Sequence, residues 1–120
     1  MKEQLITFET AKLAKEMGFQ SYTSFYYSEG MEIKGTKMGM HGNPNAYGGI
    51  SAPTQSLLQK WLRKNHNLHI HIINKKDEMN EEDYFELYVE DKFLSDTHTY
   101  EEALEKGLVA ALKYTFGNEI

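Results

Sequence analysis

The sequence has no cysteine, two prolines and a single tryptophan in 120 residues. Without cysteine there is no disulfide framework, no thiolate zinc site and no cysteine nucleophile, and a reducing cytoplasm is the expected setting. Long apolar runs are also missing. Leu108-Val109-Ala110-Ala111-Leu112 lies inside a mixed segment, far short of the roughly eighteen apolar residues that a membrane span needs. The opening Met1-Lys2-Glu3-Gln4 has no apolar stretch ending at small residues, so no signal peptide is expected. Three chemical signatures are absent as well: the Gly-x-Ser-x-Gly nucleophile elbow, the Gly-Lys-Ser/Thr of a phosphate loop and the spacing of a calcium loop.

Apolar residues make up 40% of the chain and charged residues 26%, too apolar for a disordered polymer and ordinary for one folded domain over 1–120. The net charge of −5 is unevenly spread. Residues 1–50 balance, residues 51–76 carry +5 with no acid, and residues 77–120 carry −10. Such asymmetry raises the question of a polyanionic partner, although charge runs also serve as solvated faces.

Hydrophobic periodicity predicts a helix from Thr7 to Met17, capped by Thr7, with Phe8, Ala11, Ala14 and Met17 on one side. Gly18 ends it, and Phe19 folds back on the last turn. Ser21 to Tyr27 and Met31 to Lys34 read as a two-stranded ribbon joined at Ser28-Glu29-Gly30. Gly35 to Gly49 holds five of the nine glycines and reads as a flexible loop. A second helix begins at Ser51 or Ala52 with Pro53 in its first turn, and Leu57, Leu58, Trp61 and Leu62 form its core face. Leu68 to Asn74 and Tyr84 to Val89 alternate as strands. Thr99 and Glu102 form a capping box for the last helix, whose buried stripe is Leu104, Leu108, Ala111, Leu112 and Thr115, with Gly117 as its stop. Gly107, in its interior, is disfavoured by about 1 kcal/mol relative to Ala, and close approach of the helix to the sheet is the expected compensation. The resulting fold class is α+β in the order α-β-β-α-β-β-α, with one four-stranded, largely antiparallel sheet and helices packed on one face.

Three stretches carry a resemblance. They are Thr7-Phe8-Glu9-Thr10-Ala11-Lys12-Leu13-Ala14-Lys15-Glu16 with Gly18-Phe19, then Ile50-Ser51-Ala52-Pro53-Thr54-Gln55-Ser56-Leu57-Leu58-Gln59-Lys60-Trp61-Leu62-Arg63, and Thr99-Tyr100-Glu101-Glu102-Ala103-Leu104-Glu105-Lys106-Gly107-Leu108. Together they resemble uncharacterised small proteins of bacteriophages and prophage-like regions of gut bacteria. The resemblance implies a mobile-element origin and carries over no activity. The strand ending at Val89 and the helix from Tyr100 also resemble, locally, a junction in antitoxin-type domains.

Several groups could carry function. Lys60, Arg63 and Lys64 with His66, Lys75 and Lys76 form a basic 60–76 segment suited to phosphates, and Tyr22, Phe25, Tyr26 and Tyr27 could stack bases. Equally, those aromatics could fill a core. His69 and His71, with His66 nearby, form a weak metal pair that needs a third ligand such as His41 or an acid. Gly48-Gly49-Ile50-Ser51 before a helix is a crude anion cradle. With no catalytic constellation and no cofactor motif, the first expectation is a non-enzymatic binding or adaptor module acting through protein contacts. A nucleic-acid accessory role through the basic segment is the alternative, and a metal site in the histidine cluster is the third reading. No membrane partner is expected, and the chain could act as a monomer or a homodimer.

Overall fold

The computed structural model describes residues 4–19, 23–28, 30–35 and 49–115. Among them lie three helices and six strands: α1 (Phe8–Glu16), β1 (Phe25–Tyr27), β2 (Ile33–Gly35), β3 (Ile50–Ser51), α2 (Gln55–His66), β4 (Ile70–Lys76), β5 (Asp83–Val89), β6 (Lys92–Thr97) and α3 (Tyr100–Thr115). The class is α+β, as the hydrophobic pattern implies. The expected four-stranded sheet is replaced by two three-stranded antiparallel sheets, ordered β2-β1-β3 and β4-β5-β6. Each expected pair of strands gains a third, β3 in one sheet and β6 in the other. The chain divides into two compact units, Met1–Thr54 and Gln55–Ile120. The expected glycine loop lies, between its ends, outside the described residues.

In the first unit, the Thr7 side chain accepts a hydrogen bond from the Thr10 N–H at 3.3 Å and caps α1. At the other end Gly18 takes φ 93°, a conformation open to glycine at no steric cost. The Phe19 N–H then donates to the Ala14 carbonyl and the Gly18 N–H to the Lys15 carbonyl, the paired bonds of a Schellman stop. Phe19 is buried with Ile6, Ala11, Ala14 and Ala52. β1 pairs with β2 on one side and β3 on the other, and the Tyr27 hydroxyl donates to the Ile6 carbonyl at 2.7 Å. Leu5 bridges Thr54, and the Ile6 N–H donates to the Pro53 carbonyl at 3.1 Å. That extended pairing holds Pro53 and Thr54 out of the helix, so α2 starts at Gln55 rather than at Ser51 or Ala52.

In the second unit, β4, β5 and β6 form a meander, and α3 packs across all three strands with α2 beside it. Ile70, Leu87 and Val89 face α3 and are buried. On α3, Ala103, Gly107 and Ala111 recur every four residues, and so do Leu104, Leu108 and Leu112; all six are buried. A Cβ placed on Gly107 would lie 2.8 Å from Ile70 Cγ2 and 2.9 Å from Leu87 Cδ1, so hydrogen at this position is what lets the helix reach the sheet. The buried stripe of α2 is Gln55, Leu58 and Leu62. Leu57 is exposed and Trp61 half-buried, so the core face is narrower than expected.

The Gln55 side chain is buried, and its amide donates to the Glu101 carbonyl and to Glu105 Oε1, both at 2.9 Å. Thr99 Oγ1 accepts from the Glu102 N–H at 3.1 Å, the expected cap of α3. Asn67 takes φ 53° after α2, as suits a residue that stops a helix.

Gly107→Ala is expected to destabilise the protein. Overpacking against a β-branched methyl costs about 1–3 kcal/mol, more than the gain of about 1 kcal/mol in helix propensity. Urea denaturation measures the sign, and a raised midpoint would mean that Ile70 and Leu87 swing aside freely. Thr99→Ala is expected to cost about 1 kcal/mol by removing the cap of α3, read from the same titration.

Candidate functional site

Alternation along β5 gives the second sheet two unlike faces. Residues at odd positions of β5 face α3, and Tyr84, Glu86 and Tyr88 face away. Register brings His71, Tyr88 and Phe93 side by side across the three strands on that outer face, and Ile73, Glu86 and Asp96 in the next row. Phe93 is 49% exposed and Ile73 44%. The Tyr88 and Phe93 rings meet edge to face at 5.5 Å, worth about 1 kcal/mol beyond the area they bury. The Tyr88 hydroxyl donates to Glu86 Oε1 at 3.2 Å. Partial removal from water, then the hydrogen bond and charge of Glu86, push the Tyr88 phenol above its ordinary value; partial removal from water and then the Glu86 charge do the same for Tyr84.

His69 and His71 share this side as expected. Their rings stack at 6.3 Å and 12°, and one ring nitrogen of His69 meets Asn67 Oδ1 at 3.3 Å. Stacked rings do not converge their nitrogens on one ion. Among the described residues no three histidine or carboxylate side chains come together to hold a metal, and His41 lies outside those residues.

The six basic-segment residues fall into two groups. Lys60, Arg63 and Lys64 are exposed on α2, while His66 is half-buried and meets Trp61 edge-on at 4.9 Å. Lys75 and Lys76 are exposed at the far end of β4. They stand roughly 17–20 Å of strand beyond Ile70, the residue that Gln59 ties to α2. There they line an open depression of about 730 Å³ together with Asp77, Glu78, Asp83 and Asp96. The carboxylates around them leave that end of the unit without a positive field.

Of the proposed base-stacking residues, Phe25 is exposed, Tyr26 half-buried and Tyr22 outside the described residues. Tyr27 is taken up by its hydrogen bond and by an edge contact to Phe8 at 5.5 Å. Of the expected anion cradle, Gly48 lies outside the described residues, Ile50 and Ser51 are strand, and three residues separate them from α2. Phe93 was not legible as a site residue, because no alternation marks β6. No helix among the described residues is long and apolar enough to cross a membrane.

The raised phenols give stability a pH dependence with a definite sign. In the unfolded chain these groups ionise near pH 10, before they do in the folded protein. Their contribution is therefore complete below about pH 10 and is lost as pH rises through the raised values. Denaturation midpoints above pH 10 are expected to fall less steeply in Tyr88→Phe than in the wild type, and equal slopes would refute the assignment.

No protein-family model, no curated protein and no solved structure matches the chain.

Proposed function

We propose that the protein is a non-enzymatic binding module of the cytoplasm, of phage or prophage origin, that acts through protein contacts made by the outer face of the β4-β5-β6 sheet. One observation carries this reading. Ile73 and Phe93 stand exposed beside the Tyr88 and His71 rings, while Glu86 and Asp96 supply polar groups around them. Aromatic and aliphatic side chains within a polar border are the make-up of a protein-binding patch. The same carboxylates repel a phosphate backbone. Within the basic 60–76 segment a nucleic-acid partner would be left with Lys60, Arg63 and Lys64 on α2, and three phosphate contacts give a salt slope of only about −3.

The test has two arms. Proteins captured by the wild type are purified and their affinity measured by calorimetry against wild type, Phe93→Lys and Ile73→Lys. A partner whose affinity drops at least about tenfold in both variants supports the reading; a partner bound equally by all three overturns it. In parallel, labelled DNA and RNA are titrated at two salt concentrations against wild type and a Lys60→Glu/Arg63→Glu/Lys64→Glu variant. Salt-sensitive binding lost in that variant favours the nucleic-acid alternative instead.

A further inference from the structure

The two edges of the β4-β5-β6 sheet are built differently. β6 departs from regular register, with a shift between Leu87 and Tyr88 that bends the ladder, a device that blunts an edge against pairing. β4 has no such feature. It pairs with β5 in unbroken register over seven residues, from Ile70 opposite Val89 to Lys76 opposite Asp83, and contains no proline.

Main-chain groups of successive strand residues point to opposite sides, and the hydrogen bonds fix which side each residue of β4 serves. The Glu90 N–H donates to the His69 carbonyl at 2.8 Å, and the His69 N–H donates to Glu90 Oε1 at 3.1 Å. At the other end the Asp77 N–H donates to the Glu82 carbonyl at 2.8 Å. Odd-numbered residues therefore face β5, and Ile70, Ile72, Asn74 and Lys76 turn their main-chain groups outward. Gln59 Nε2 takes the Ile70 carbonyl at 3.2 Å. The segment left to pair is Ile72 to Lys76, bounded by the Gln59 amide at one end and the turn at Asp77 at the other. Its midpoint is Asn74.

We propose that this edge is a self-association site, where two copies of the chain pair β4 against β4 antiparallel about a two-fold axis at Asn74 and join two three-stranded sheets into one of six strands. The register follows from the symmetry of the outward groups. Asn74 meets its own copy, Ile72 meets Lys76 of the second copy and Lys76 meets Ile72. All three outward residues then exchange main-chain bonds, about six in total. Side chains agree with this pairing. Lys75 falls opposite Ile73, His71 falls opposite Asp77, and no two like charges stand directly across the seam. A register one residue shorter would centre on Ile73, set His71 against Lys75 and leave Lys76 facing the Ile70 carbonyl that Gln59 already occupies. A second copy is therefore a better occupant than an arbitrary strand, because this edge complements itself.

The absence of cysteine from the chain makes the test clean. Asn74→Cys places two thiols across the seam, whereas Met79→Cys places one at a site 96% exposed and outside the pairing. Under mild oxidation Asn74→Cys is expected to form a disulfide-linked dimer at least about tenfold faster than Met79→Cys. Equal rates overturn the proposal. Sedimentation equilibrium of the wild type up to about 1 mM is expected to show a monomer–dimer equilibrium. Asn74→Pro removes an outward N–H that takes part in no bond among the described residues and is expected to abolish the dimer while the circular dichroism is kept. A wild type that stays monomeric, or a dimer that survives Asn74→Pro, rejects the two-fold edge. The cysteine comparison stands even if the proline variant fails to fold. Phe93→Lys lies on the outer face rather than at the edge and is expected to leave the dimer intact, which separates this test from that of the protein-binding face.

Discussion

The spacing between α3 and the sheet is set where Gly107 meets Ile70 and Leu87. At 2.8 and 2.9 Å from a notional Cβ, there is room for a hydrogen and nothing larger. Ala103 and Ala111 extend that line of small residues one turn to either side, so the helix lies close along the strands. The adjoining row of Leu104, Leu108 and Leu112 is thereby carried into the core. Everything on the far side of the sheet depends on this contact indirectly. With one face committed to α3, the alternation along β4 and β5 obliges His71, Ile73, Tyr84, Glu86 and Tyr88 to look outward.

Two polar side chains, Gln55 buried and Gln59 half-buried, tie α2 into the same arrangement. Gln55 is buried alongside Leu58 and Leu62, and its amide reaches both the Glu101 carbonyl and the Glu105 carboxylate. Its donors are thus satisfied inside the unit, where an unpaired amide would cost about 1–3 kcal/mol. Gln59, one turn later, bonds the first carbonyl of β4. Two glutamines one turn apart therefore fasten the first half of α2, one to α3 and one to the sheet.

Much of this was readable from residue order, and the omissions have physical causes. The cap at Thr7, the stop at Gly18-Phe19 and the cap at Thr99 use side-chain and backbone chemistry confined to a few neighbouring residues, so local sequence is enough to find them. The faces of β4 and β5 followed from period-two alternation. β6 was invisible because Lys92 to Thr97 does not alternate cleanly across its register shift, and because the turn before it uses Glu90 at φ 55° where an asparagine or glycine would have marked a hairpin. β3 is two residues long and exists only through its pairing with β1. Missing β6 also hid Phe93, and with it the aromatic row across the outer face. The basic segment was contiguous in sequence, yet a strand and a turn carry its two halves to different ends of the unit.

The consecutive order of β4, β5 and β6 bears on the sequence of events in folding. Each of these strands pairs with its immediate successor across a short turn, so the loop-closure entropy of the meander is small and its formation fast. The bonds of Gln55 to α3 span 46 and 50 residues and close a far larger loop. Joining α2 to α3 is thus the entropically costlier closure in the second unit, and pairing the strands of the meander the cheaper one.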